Sequence, residues 1–233
     1  MEHFPKLTPR LQAIADMVSD CETLADIGTD HAYLPVYLLK TGKIRRAIAS
    51  DLRKGPILRA ESTISRYGVK VETRLGGGMT TLKKGEADTV VIAGMGGILI
   101  ADILAESADL ITEDTVLILQ PMTAMRELRE YLSGSGLKIE LEVLAREEDK
   151  LYHIMKVRRG EEKVTDLAEL YFGRRLLETK PKYFDEYIAQ RKHALSVAAS
   201  GMERSERDEN IEKLKEYRYL INQAEKIQKG ELR

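Results

Sequence analysis

Cysteine is nearly absent from this sequence: Cys21 stands alone among 233 residues. One thiol cannot build a disulfide framework within a chain, and it fits a reducing compartment. Neither sign of charge dominates, with 37 Lys and Arg against 38 Asp and Glu and a formal net charge of −1. No global field therefore advertises nucleic-acid binding, although a local basic face stays open. No apolar run approaches the roughly 18 residues that suggest a membrane helix. The opening MEHFPKLTPR lacks a basic segment followed by an apolar run, so no signal peptide is expected. A cytoplasmic protein without a membrane partner follows. His3, His31, His153 and His193 are scattered without metal-ligand spacing, and no metal is expected. No G-x-S-x-G turn and no Ser-His-Asp arrangement stands out.

What is present is a hydrophobic share of 43%, ample for a packed core. The length suits one large domain, or one with an appendage. Five short β-type runs, TLADIG, RRAIASD, KVETRL, ADTVVIAG and TVLILQP, alternate with helical stretches at 31–40, 54–67, 97–107 and 123–133. Strands alternating with helices imply a parallel sheet with right-handed crossovers. KIELEVLAR and LYHIMKVRR then flank the polar turn EEDK with no helix between them, so the sheet should end in an antiparallel hairpin.

After Gly160 the β signal disappears. TDLAELYFGRRLLET is expected as one helix. A second covers 181–202, with Phe184, Tyr187, Ile188, Ala194, Leu195, Ala198 and Met202 on one face. A third covers 207–229, with Ile211, Leu214, Ile221, Ala224 and Ile227 on one side. Two amphipathic helices joined by a short link suggest an antiparallel, coiled-coil-like hairpin. The expected division is therefore 1–159 and 160–233. The apolar stripes could pack on the first domain or pair two copies, so a monomer or weak homodimer is expected.

The residues that could carry chemistry sit where strands end. ADIGTDHAYLP reads as a strand, a glycine turn and a helix, the place where nucleotides bind in α/β proteins. Yet Gly28 is followed by Asp30 and Tyr33 where a dinucleotide fingerprint needs glycines. Asp26 and Asp30 would repel a pyrophosphate. They suit a ligand with a positive centre and hydroxyls, and S-adenosyl-L-methionine has an ammonium, a sulfonium and a ribose. An ordinary βα turn, with Asp30 capping the helix, would read the same way. Asp51, followed by Leu52, ends the second strand 23 positions after Gly28. That is where an acid holds a ribose diol. Gly76, Gly77 and Gly78 bare the backbone for a flat ring such as adenine. Ala93, Gly94 and Met95 follow strand four, opposite the first turn across the sheet crevice. Glycines there leave room for a base, or for a helix packed close to the sheet. Gln120 and Pro121 share the same rim. Arg10, on an amphipathic N-terminal helix, could reach a ligand carboxylate or simply face solvent. His31 is the one histidine at the proposed turn.

With RLQAIADMV, DIGTDHAYLP, ASD, IAGMGG, LILQP and REEDKLYHIMKV in order, the chain resembles the bacterial tRNA (adenine-22 N1)-methyltransferase family along essentially its whole length. The resemblance implies a Rossmann-like class I methyltransferase sheet, mostly parallel with a terminal antiparallel hairpin, and a C-terminal helical coiled-coil hairpin. It implies S-adenosyl-L-methionine as cofactor and tRNA as partner. Asp30 and His31 are the expected catalytic candidates. Gly77 stands where class I methyltransferases often carry an acid or amide, so adenine contacts fall to backbone groups or another side chain. From Gly160 on, the tail balances 15 Lys and Arg against 15 Asp and Glu, yet local basic patches occur at Arg158/Arg159 just before it and at Arg174/Arg175, Lys180/Lys182 and Arg191/Lys192/His193 within it. Those could meet RNA phosphates or merely form a salt-bridged surface. A methyltransferase for another RNA, a protein or a small molecule would share the same core, and an idle RNA-binding adaptor is a further reading. An NAD-dependent dehydrogenase is disfavoured by Asp30 and the missing glycines.

Overall fold

The computed structural model describes residues 4–164, 166–203 and 211–231. They fall into two compact units, Met1–Lys163 and Val164–Arg233.

The first unit is a seven-stranded sheet. Its strands are β1 (Cys21–Ile27), β2 (Ile44–Asp51), β3 (Glu72–Leu75), β4 (Thr89–Gly96), β5 (Val116–Thr123), β6 (Leu137–Glu147) and β7 (Lys150–Arg159). Their order across the sheet is β3-β2-β1-β4-β5-β7-β6. The first five run parallel; β7 pairs antiparallel with both β5 and β6. The order reverses between β1 and β4, which opens a crevice at their C-terminal ends. Helices α1 (Pro9–Met17), α2 (Tyr33–Lys40), α3 (Lys54–Tyr67), α4 (Gly97–Glu106) and α5 (Met125–Gly134) cover the sheet.

The near-continuous apolar runs of the central strands sort by alternation. Ala25, Ile27, Val90, Ile92, Leu117 and Leu119 enter one core with Ile100 and Leu104 of α4 and Leu128 and Leu132 of α5. Leu24, Val91 and Ile118 enter the other, with Ile14 of α1 and Leu34 and Leu38 of α2. Successive side chains of a strand point to opposite faces, so a strand covered on both sides is apolar throughout. Each leucine so buried contributes about 1.5–3 kcal/mol before the entropy of ordering it.

In the second unit the expected single helix over 165–179 is broken. Two α-helical residues, 167–168, lead into a π-helical turn, Glu169–Gly173, and then α6 (Arg174–Thr179) begins. Gly173 lies at φ +94°, outside helical geometry. Phe172 of the π turn and Leu176 of α6 are both fully buried.

Helices α7 (Phe184–Glu203) and α8 (Ile211–Gln228) follow. Lys192 pairs with Glu225, and Arg218 with Glu203, so the two run antiparallel. Part of the expected link and third helix, residues 204–210, lies outside the described residues. The buried stripe of α7 is Phe184, Tyr187, Ile188, Leu195 and Ala199. Ala194, expected inside, is exposed, and Ala199 takes its place. On α8 the buried residues are Leu220, Ala224 and Ile227, while Ile211 is exposed. The 3.6-residue period rotates a stripe slowly around a long helix, so its ends drift out of register with the contact line. No helix among the described residues is long and apolar enough to cross a membrane.

Candidate active site

The chain leaves β1 through Gly28, which takes φ +77°. The Gly28 and Thr29 N–H groups donate to the Ser50 carbonyl at 2.8 and 2.9 Å. Both donors are thereby engaged in tying the ends of β1 and β2 together. Helix α2 starts only at Tyr33, after Ala32 in the left-handed region, and has no side-chain cap. Asp30 is therefore not a helix cap, and the turn does not offer free helical N–H groups at Gly28. What it offers is carboxylates.

Asp26 is buried at the end of β1. Burial pushes its carboxyl up to about 6; the Thr29 side chain and Arg10 pull it down, and Asp51 adds to the rise. Asp51, also buried, accepts at 2.8 Å from the Arg53 N–H. Asp30 is 63% exposed and forms an ion pair with Arg59 through both Nε and Nη2. Its other oxygen lies 3.4 Å from His31 Nε2. The His31 ring stacks on Tyr33, with centroids 5.3 Å apart and planes 12° apart.

Across the crevice β4 breaks its pairing with β5 between Ala93 and Met95. Gly94 is the extra residue, at φ +77°, a conformation that penalises any side chain. Its N–H donates to Gln120 Oε1 at 3.2 Å. The same oxygen accepts from Arg10 Nη1 at 2.8 Å. The Arg10 guanidinium also lies over the Tyr152 ring at 5.5 Å, and its backbone N–H donates to Glu147 at 3.2 Å. Arg10 thus reaches the crevice from α1. Gly97 serves packing instead: a Cβ there would lie 2.2 Å from the Ala124 carbonyl oxygen.

Two clefts result. One, of about 400 Å³, is lined by Arg10, Asp26, Gly28, Asp30, His31, Asp51, Ala93 and Gly94, among others. The second, of about 570 Å³, shares Gly28, Asp51 and Arg53 with it and adds Leu52, Gly76, Gly77, Gly78, Met95, Leu99 and Ile103. Each candidate cofactor-binding position lines one cleft or the other. The glycine loop is held from below by Arg74, which donates to Glu86 at 2.8 and 2.6 Å and to the Thr81 carbonyl at 2.6 Å. That clasp holds the Glu86 carboxyl down at about 2.

Sequence reasoning placed Gln120 on the rim without a role, and missed Arg59, Arg53 and Tyr152. The signal for Gln120 was a polar residue closing an apolar strand, LILQP. Arg59 and Tyr152 carry no local signal, because their partners lie 29 positions away in one case and on helix α1 in the other. Among the described residues no cluster of three or more His, Cys, Asp or Glu is grouped to hold a metal ion.

The chain is similar in sequence and fold to known proteins. Residues 7–155 match the family model described as a methyltransferase domain. The sequence is 34% identical to the tRNA (adenine(22)-N(1))-methyltransferase of Bacillus subtilis (strain 168) over 219 residues, 91% of this chain and 92% of that protein. The fold superposes on the crystal structure of the Bacillus subtilis m1A22 tRNA methyltransferase TrmK with a TM-score of 0.87 and 31% identity, covering 96% of this chain and 99% of that one. A Streptococcus pneumoniae protein described as a putative tRNA (m1A22) methyltransferase, solved in complex with S-adenosyl-L-methionine, superposes with a TM-score of 0.81 and 30% identity, covering 93% of this chain and 100% of that one. A seven-stranded sheet with acids and glycines at the C-terminal ends of β1, β2 and β4, matched along nearly its full length, places the chain in the tRNA (adenine(22)-N(1))-methyltransferase family.

Proposed function

We propose that this protein transfers a methyl group from S-adenosyl-L-methionine to N1 of adenine 22 in tRNA. The observation that carries the reading is the full-length similarity to the Bacillus subtilis enzyme, combined with a crevice whose donor set suits this cofactor.

The residues fit the cofactor part by part. Asp26 is a buried acid that an ammonium would neutralise, and Arg10 is a cation fixed at the same end of the cleft for a carboxylate. Asp51 closes β2, where its carboxylate can accept from a ribose diol. Leu52, Leu99 and Ile103 beside the glycine loop form an apolar slot for adenine. Gly77 contributes no side-chain contact there, and the slot walls supply the fit.

When bound, S-adenosyl-L-methionine supplies a methyl group activated by a cationic sulfur. N1 of adenine carries an in-plane lone pair, so no general base is required for attack. The protein's task is alignment and exclusion of water. N1 lies on the pairing edge, so the base must leave its stack or pair to enter the cleft. Methylation makes the base cationic until the exocyclic amine releases a proton. Asp30, exposed at the cleft mouth beside His31, is the carboxylate placed to balance that charge; His31 orients it. Residues 1–159 form the cofactor-binding domain and residues 160–233 the helical domain that engages tRNA.

Incubation of the protein with unmodified tRNA and S-adenosyl-L-methionine, followed by mapping of the methylated nucleotide, tests the reading. One N1-methyladenine at position 22 is expected. Methylation at another site, or of protein alone, would overturn it.

A further inference from the structure

Gln120 is a fully buried polar side chain at the end of β5, and it touches three elements. Its oxygen accepts from Arg10 Nη1 of α1 at 2.8 Å and from the Gly94 N–H of β4 at 3.2 Å. Its amide nitrogen donates to the Pro121 carbonyl at 2.9 Å and approaches Met122 Sδ at 3.5 Å. The orientation is not arbitrary. An arginine and a backbone N–H are donors only, so the oxygen must face them and the nitrogen must face the carbonyl.

The bulge explains why a side chain is needed. Between Ala93 and Met95 the β4–β5 ladder slips, and Gly94 falls out of register. Its N–H then needs an acceptor other than the β5 backbone. Gln120 supplies that acceptor and shares it with Arg10. One amide oxygen therefore sets the position of the arginine against the Gly94 turn, on the wall where Asp26 and Ala93 also lie.

We propose that Gln120 is a positioning residue for the cofactor's amino-acid end, acting through Arg10. This rests on the reading of Arg10 as the partner of the cofactor carboxylate. An arginine has many rotamers, and a long side chain released into a wide cleft gives up affinity to order itself. Tyr152 supports the guanidinium from its face; Gln120 fixes its donor direction within the plane.

The test is calorimetric binding of S-adenosyl-L-methionine to the intact protein and to Arg10→Ala, Gln120→Met and the double variant, with KM and kcat on tRNA alongside. If the unaltered protein does not bind the cofactor, the functional reading falls and not this inference alone. Given binding, Gln120→Met should weaken affinity about tenfold, in line with loss of a hydrogen bond to a charged group. KM for the cofactor should rise by a similar factor, while kcat at saturation changes less than about twofold. The double variant should bind within about threefold of Arg10→Ala, because Gln120 has nothing left to position. Gln120→Asn keeps the amide but draws its oxygen back from Arg10 by one methylene, and should weaken affinity about as much as Gln120→Met. It also keeps the proposal testable if Gln120→Met does not fold. Cofactor affinity unchanged in Gln120→Met or Gln120→Asn, or losses that multiply in the double variant, would each overturn the proposal.

Discussion

Asp26 carries the sharpest conflict between stability and ligand binding. Its carboxyl is pushed from 3.8 up to about 6, first by burial. Between those values the folded protein holds a proton that the unfolded chain has released, so stability falls as pH rises from about 4 through about 6. Below that window the penalty is absent, and above it the penalty is full, on the order of 3 kcal/mol. Asp26→Asn should therefore stabilise the ligand-free protein at pH 7 and flatten this part of its melting profile against pH. The same variant should lose cofactor affinity, and in the unaltered protein that affinity should climb as pH rises through about 6. A calorimetric titration at pH 5 and pH 7.5 reads both. Asp30 is the opposite case, an exposed acid already shared between Arg59 and His31. Asp30→Asn is expected to bind cofactor within about twofold of normal. Its turnover should fall about tenfold or more, the effect of removing a charge that stabilises the transition state. Full turnover with normal cofactor binding would show that Asp30 has no electrostatic part in the reaction.

Where α5 packs on the terminal hairpin, a charged group is sealed into the fold. Arg129 donates to Glu142 of β6 at 3.0 and 2.7 Å, and His153 Nδ1 of β7 lies 3.4 Å from the same guanidinium. All three side chains are buried. Removing one partner strands a charge in the interior, so Glu142→Leu should lower stability by about 3–5 kcal/mol. Replacing both, Arg129→Met with Glu142→Leu, should recover most of that loss, as urea unfolding would report. Such a recovery would show that the pair orients β6 and β7 against α5 more than it adds net stability. That hairpin presents Tyr152 and Glu147 to Arg10, so its register reaches the cleft.

The two compact units make separable predictions. A chain ending at Lys163 retains the whole sheet, both cores and both clefts. It should bind S-adenosyl-L-methionine with near-normal affinity by calorimetry. Its affinity for tRNA should fall by about tenfold or more in a filter-binding or mobility assay, since the basic patches at Arg174/Arg175, Lys180/Lys182 and Arg191/Lys192 are gone. Unchanged tRNA affinity would move the RNA interface to the first unit. Arg174 and Arg175 both pair with Glu178, so part of that charge is neutralised within its own helix. The salt dependence of tRNA binding should accordingly be shallower than the count of basic residues suggests.

Periodicity alone could locate the five parallel strands, the antiparallel end and the helical tail, because burial on one or two faces leaves its period in the sequence. TVVIAG and TVLILQP could hardly be anything but central strands, and the acids and glycines that close them mark the crevice. Pairwise details at long range lay beyond that reading. Nothing near Asp30 announces that Arg59 will pair with it, nothing near Gly94 announces a bulge, and nothing near Arg10 announces that Gln120 and Tyr152 will fix it from two sides. The start of α2 at Tyr33 and the π turn before α6 were likewise not legible in the sequence. Patterns of hydrophobicity are local and survive projection onto a line. The direction of a hydrogen bond between α1 and β5 depends on where two distant segments meet, and only the folded chain decides that.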